Sequence, residues 1–263
     1  MKKLIAVLSL LAVAAPSASA ARPASARSDG FRLYGSGNGH GIGMSQYGAL
    51  GLARIGWPAA KIVTHYYSGA RLARVGPATI RVGLLQNLRT VQLSAVGGRF
   101  QLLLQNGEPV DAVEAGSRRT VEVTGDGGYR VLRPDGSAVG DRTWGGPGND
   151  LVARPGPGRI RISEWNHELS RGELRFVRAS AGKAHLLGVM SVEDYVAGVS
   201  EVPSSWPEAA LQAQAIAART YGHWRLSGGQ RSGCGCDVLS STADQLYVGF
   251  DKEAGSGGDR WVG

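Results

Sequence analysis

Residues 191–226 read SVEDYVAGVSEVPSSWPEAALQAQAIAARTYGHWRL, and their reading decides how the chain is organised. Val192, Tyr195, Val196 and Val199 fall on one face at helical spacing, which predicts a short helix. Ser191 is placed to cap it, with Asp194 where a capping-box acid reaches back. Ser200-Glu201-Val202-Pro203 breaks the pattern, and the proline keeps Val202 extended. A second helix is expected after Ser204-Ser205-Trp206. Either serine can cap it, Pro207 suits the first turn, and Glu208 suits the positive end of the dipole. Leu211, Ala215, Ala218 and Gly222 then form a stripe of mostly small residues that lets a neighbour approach closely. Gln212, Gln214 and Arg219 are polar groups on an alanine-rich helix. Any that lie near the packed side need partners, which points to a polar site network.

Glu201 therefore sits at a helix–helix junction between Val199, Val202, Pro203 and Trp206, and the spacing predicts an apolar setting for it. An acid in such a setting is harder to ionise, the property a general acid needs near neutral pH. The ordinary alternative is a solvated loop glutamate.

Outside this stretch, length and composition allow one large domain or two small ones. Residues 1–20 have a charged start (Lys2, Lys3), an apolar core from Leu4 to Ala15 and an Ala18-Ser19-Ala20 cleavage site, so they read as a signal peptide. The expectation is export to the cell wall or medium, with a mature protein that is not integral to a membrane. Formal net charge is +8, and losing Lys2 and Lys3 leaves +6. A basic exported protein suits an anionic wall polymer; no basic-aromatic motif supports nucleic acid. Cys234 and Cys236 admit two readings. A disulfide is favoured by the exported compartment, although the ring it closes is very small. Zinc is the rival, with His223 or Asp237 as further ligands.

Residues 21–30 read as a linker and Phe31–Tyr34 as a short strand. GSGNGHGIGMSQYGALGLARIGW follows, rich in glycine, with His40, Ser45, Gln46 and Tyr47 as its polar groups. There is no G-K-[ST], so a sugar-binding loop is favoured over a nucleotide loop. Helices are expected over 44–55 and 58–66. From residue 78 to 190 short apolar or alternating runs are punctuated by glycine, proline and asparagine, which predicts strands. Asn106-Gly107 and Asp135-Gly136 are hairpin signals. Gly145–Gly158 reads as the flexible loop of this region. The fold class expected is α+β: a mostly antiparallel β region feeding a helical core.

The run EDYVAGVSEVPSSWPEAALQAQAIAARTY resembles the signature of the stage II sporulation protein D, or amidase-enhancer, family. Gly39–Ala49 (GHGIGMSQYGA) and Thr242–Gly249 (TADQLYVG) resemble two further motifs of that family. The resemblance implies a catalytic domain over 31–263, comprising a glycine-rich segment (31–70), a β region (78–190) and catalytic helices with a C-terminal segment (191–263). It implies lytic transglycosylase activity on peptidoglycan, with Glu201 as the catalytic acid and Val202 where methionine is usual. It implies no metal for the chemistry, although some relatives carry zinc beside the site. Substrate contacts are expected from His40, Ser45, Gln46, Tyr47, Gln212, Gln214, Arg219, Tyr221, Ser240, Ser241 and Gln245; Trp206 and Trp224 are sugar-stacking candidates, with helix–helix packing the favoured role for Trp206. For Arg219 a structural salt bridge is an equal reading. Two rival functions are a non-catalytic wall-binding protein that enhances an amidase and a metal-dependent wall hydrolase using His40, His65 or His223 with the cysteines, for which no H-E-x-x-H spacing is present. In the relatives the GHGxGMSQYGA motif follows the catalytic helix. Here it precedes the β region, as in a circular permutation, and the relatives continue beyond the point matching Tyr247, which predicts a shortened C-terminal part.

Overall fold

The computed structural model describes residues 43–255, 257–258 and 261. The signal segment, the linker, the strand at Phe31–Tyr34 and His40 lie outside the described residues.

The chain begins with two short helices, α1 (Gln46–Arg54) and α2 (Ala59–Tyr66). Ser45 caps α1, its Oγ accepting the Gly48 amide at 3.1 Å. The β region supplies β1 (Thr79–Leu88), β2 (Thr90–Val96), β3 (Phe100–Leu104), β4 (Pro109–Val113), β5 (Arg118–Val123) and β6 (Tyr129–Leu132). It continues with β7 (Leu151–Pro155), β8 (Arg159–Ile162), β9 (His167–Leu169), β10 (Glu173–Ser180) and β11 (Lys183–Ser191). After β11 come α3 (Val192–Ala197), α4 (Glu208–Ser227), the two-residue β12 (Val238–Leu239) and α5 (Asp251–Ala254).

Two sheets result. One has the order β12-β1-β11-β10-β7-β3-β4, the other β6-β5-β2-β8-β9. Every pairing is antiparallel except β1 with β12. The class is α+β, as the alternating runs predict. The sheets share one core of apolar side chains. Tyr129 of β6 meets Phe176 of β10 edge-on at 5.9 Å and donates its phenol to the Phe176 carbonyl at 2.6 Å. That bond satisfies the one polar atom an otherwise apolar ring brings into the core. Turns at Asn106-Gly107 and Asp135-Gly136 close where the hairpin signals place them, with Gly107 N–H on Leu104 O and Gly136 N–H on Arg133 O.

Gly145–Gly158 is not simply a loop. It contains β7, which lies between β10 and β3 with Leu151, Val152 and Ala153 buried. A strand covered on both faces shows no alternation, and Leu-Val-Ala between glycine-rich flanks gave no periodicity to read. Helix α4 begins two residues later than a Ser205 cap would place it. Pro207 is its N-cap, with no side-chain hydrogen bond there. The fixed φ of proline sets the entry instead. Its apolar stripe faces as expected: Leu211, Ala218 and Gly222 are buried, and Gly222 lies against Ile80 of β1 and Tyr195 of α3. A second side of α4, through Ala209, Ala213 and Ile216, receives α1 and α2. Cys234 and Cys236 are joined in a disulfide that packs on Leu187, Val177, Val189 and Leu239.

Candidate active site

Strand β11 runs into α3 without a linker. Ser191 accepts the Asp194 amide at 3.0 Å and donates its hydroxyl to Asp194 Oδ2 at 2.7 Å, the capping arrangement the spacing predicts. The turns after α3 bury Val199 and Val202 and leave Glu201 between them half-buried. Val199 and Val202 both pack into the apolar core, while Glu201 between them stays partly exposed.

Two remote stretches hold that carboxylate. Its Oε1 accepts the Leu246 backbone N–H at 2.7 Å. Its Oε2 accepts the side-chain amide of Gln46, the first residue of α1, at 3.3 Å. Gln46 is 155 residues away in sequence. The glycine-rich motif and the Glu201 turn therefore meet in space. The setting is polar rather than apolar: the valines that suggested an apolar pocket turn into the core and away from the acid.

Leu246 is delivered by the TADQLYVG run. Ser200 N–H bonds Leu246 O at 2.7 Å and Val248 N–H bonds Gly198 O at 2.9 Å, a short antiparallel ladder ending at Glu201. This ladder needs glycine at 198, where an added Cβ would lie 2.3 Å from Tyr247 Cε2. Gly48 has a similar role in the other motif, because a Cβ there would lie 1.8 Å from the Tyr66 hydroxyl.

Around Glu201 lies a cleft of about 460 Å³, lined among others by Ser200, Ser204, Ser205, Asp251 and Lys252. Asp251 Oδ2 is 2.7 Å from His167 Nδ1. Tyr47 is 77% exposed and meets Trp206 edge-on at 5.4 Å, so an aromatic pair stands beside the Gln46–Glu201 contact.

The remaining residues expected at the site are spread more widely. Gln212 donates to Glu208 Oε1 on its own helix at 2.7 Å. Gln214 is buried. Arg219 makes a two-pronged ion pair with Glu193 of α3, which is the structural role weighed for it. Gln245 is buried, its amide oxygen accepting the Tyr195 phenol at 2.9 Å. Tyr195 stands behind the site, its phenol pushed far up in pKa by burial and by the nearby Asp244. Ser240 Oγ is 3.4 Å from Leu84 O, and Ser241 is exposed and turns toward Ala243 N. Trp224 is exposed near the C-terminal end of α4.

Tyr221 donates to Asp244, and burial together with that carboxylate pushes its phenol up to about 12. Asp244 has a side chain 0% exposed. It also accepts Arg231 Nη2 at 2.7 and 2.8 Å and the Leu239 amide at 2.8 Å. This node anchors the start of the Gln245–Leu246 segment. The sulfurs of Cys234 and Cys236 are bonded to each other, and Asp237 Oδ2 accepts the Arg81 amide at 2.7 Å.

Sequence reasoning missed Leu246 N–H, Asp251, His167 and Lys252. A backbone donor has no sequence signature, and the other three reach the cleft region only through tertiary folding of β9 and α5.

The fold and site define an α+β protein that displays one motif acid at a cleft, held by hydrogen bonds from two remote segments. Residues 180–261 match the family model SpoIID, described as Stage II sporulation protein. The matched span contains Glu201, the Leu246 ladder and Lys252, whereas Gln46 lies outside it. No curated protein and no solved structure matches the chain.

Proposed function

We propose that the protein is an exported cell-wall enzyme that cleaves peptidoglycan glycan strands as a lytic transglycosylase, acting on peptide-free glycan. The observation that carries this reading is the Glu201 carboxylate, fixed at the cleft by Leu246 N–H and Gln46. Oε1 is committed to the backbone at the shorter distance. Oε2, at the longer contact, is the oxygen free to carry a transferable proton.

In this reading Glu201 protonates the oxygen between N-acetylmuramic acid and N-acetylglucosamine, and the bond from the anomeric carbon to that oxygen breaks. The carboxylate then takes the proton of the muramic 6-hydroxyl, whose oxygen bonds to the anomeric carbon and leaves a 1,6-anhydro end. The proton returns to Glu201 and no water is consumed, so one acid suffices. Tyr47 and Trp206 supply an aromatic surface for a sugar ring beside it. Residues 1–20 direct export, and a wall amidase is a partner in the same compartment.

Asp251 supports a second reading. Hydrolytic glycosidases use two carboxylates, and Asp251 lines the same cleft as Glu201. Mass spectrometry of products from purified peptide-free glycan separates the two. Anhydro-muramic ends made by wild type, with a loss of about 100-fold or more in Glu201→Gln, support lytic cleavage. Reducing ends transfer the assignment to the Glu201–Asp251 pair. Full activity in Glu201→Gln refutes both. Binding without any new ends leaves the amidase-enhancer reading.

A further inference from the structure

Asp251 is the second carboxylate of the Glu201 cleft, and it belongs to none of the three motifs. It opens α5, and its Oδ2 lies 2.7 Å from Nδ1 of His167 in β9. Its neighbours in sequence are engaged elsewhere: the Lys252 ammonium donates to Val202 O, and Glu253 pairs with Arg171. Strand β9 is pressed onto this segment. Phe250 N–H bonds Glu168 O at 2.8 Å, and Glu168 and Gly249 form a parallel bridge. Gly249 lies at φ +60°, and a Cβ there would come 2.3 Å from Glu168 O, so the approach requires glycine. Trp165, two residues before His167, meets its ring edge-on at 4.9 Å and stacks on Tyr247 at 5.8 Å. Tyr247 follows Leu246, whose N–H holds Glu201 Oε1. The same stretch of chain therefore braces both carboxylates, Glu201 through Tyr247 and Leu246, and Asp251 through His167. Both members of the His167–Asp251 pair are partly exposed, and such a pair adds little to stability. The fold gains little from fixing an acid here, whereas the cleft gains an oriented acceptor.

We propose that His167 is a positioning residue that holds Asp251 as a second working carboxylate of the cleft, with Asp251 Oδ1 accepting a hydroxyl hydrogen bond from the bound sugar. This rests on the glycan reading above and deepens it. With Oδ2 engaged by His167, Oδ1 is the acceptor left for a ligand, and a carboxylate offers acceptors alone. A sugar hydroxyl supplies the donor, and its bond to an ionised oxygen is of the stronger kind. Asp251 thereby orients the sugar beside Glu201, and His167 acts only through Asp251.

The test is a double-mutant cycle read by calorimetry, with a peptide-free tetrasaccharide of alternating N-acetylglucosamine and N-acetylmuramic acid. All proteins titrated carry Glu201→Gln, so that the ligand stays whole; cleavage rates are measured with Glu201 intact. Asp251→Asn, which turns the acceptor facing the ligand into a donor, is expected to weaken Kd by about 10- to 100-fold. His167→Ala is expected to weaken it by about 2- to 10-fold, and His167→Asn, whose amide nitrogen takes the place of Nδ1, to restore it. In the Asp251→Asn background His167→Ala is expected to cost nothing further. An equal cost in both backgrounds overturns the positioning role, because His167 then acts on the fold alone. Should His167→Ala fail to fold, His167→Gln, which lacks a donor at the Nδ1 position, makes the same comparison. A wild-type Kd in Asp251→Asn overturns the sugar contact, and so does a fall in kcat at unchanged Kd, which assigns Asp251 to proton transfer. The expected pattern in Kd without cleavage by wild type sinks the transglycosylase reading and keeps the Asp251 contact. Cleavage by wild type with no change of Kd in Asp251→Asn does the reverse, and a protein that binds no glycan overturns both.

Discussion

Gly198→Ala tests how Glu201 is held. Gly198 ends α3 at φ −92° and ψ 1°, a conformation any residue adopts, so the substitution carries no backbone strain. Its cost is steric. The new methyl would lie 2.3 Å from Tyr247 Cε2, 2.9 Å from Cζ and 3.0 Å from Gly249 Cα, whereas carbon atoms pack at about 3.5–4.0 Å. The ring cannot rotate away. It is stacked between Trp165 at 5.8 Å and Tyr195 at 5.6 Å, with its hydroxyl on Met190 Sδ at 3.2 Å. The 246–249 backbone must therefore shift by about an ångström, the gap between these distances. Overpacking of this kind costs about 1–3 kcal/mol, or about 2–12 °C in Tm for a chain of this size. The same shift moves Leu246 N–H off Glu201. A hydrogen bond to a charged group contributes about 1.5–3 kcal/mol, so cleavage is expected to fall about 10- to 100-fold. Scanning calorimetry and anhydro-end formation well below Tm provide the two readouts. Gly51→Ala is the control: it is exposed within α1 and a Cβ meets nothing within 4 Å, so it is expected to stabilise by about 0.5–1 kcal/mol. A Gly198→Ala protein that matches wild type in both Tm and rate refutes the argument.

Removing Arg231 (Arg231→Leu) leaves the buried Asp244 carboxylate with Tyr221, the Leu239 amide and, at 3.8 Å, Arg225 as its remaining partners. The expected loss is about 3 kcal/mol, the low end for breaking a buried pair, and an unchanged Tm would show that the node does not hold the fold. Glu193 is held below the usual carboxylate range by its hydrogen bonds from Arg219. Its contribution is therefore present above the unfolded carboxylate pKa and is lost as pH falls through the lowered folded value. The Glu193 side chain is 64% exposed, so the effect is under about 1 kcal/mol. It should appear as a shallower acid limb of the Tm–pH curve in Arg219→Ala, and parallel curves would contradict it.

The helical turn around Glu201 was legible because its signals are local: a capping serine, a proline and a periodic face. The β hairpins were legible for the same reason. Strand β7 was not, since Leu151–Ala153 is buried on both sides and a two-sided strand loses its alternation. For Glu201 the spacing predicts an apolar setting, and the structure gives it polar partners instead. Spacing shows which residues adjoin Glu201 in sequence, while Val199 and Val202 point away from it and Gln46 and Leu246 reach it from elsewhere. Lys252 was beyond local reading altogether, since its place in the cleft depends on α5 docking under Val202.

The two bonds on Glu201 also set an order of events during folding. Helix α3 and its capping serine involve neighbours in sequence and form early, whereas Gln46 must close a separation of 155 residues. Contacts of high sequence separation are slow to form because loop closure precedes any reward. A collapsed chain thus has its acid in place on the turn while that acid is still unheld. Cleavage activity should lag behind secondary structure on refolding, arriving with the docking of the two remote segments rather than with the helix that precedes the glutamate.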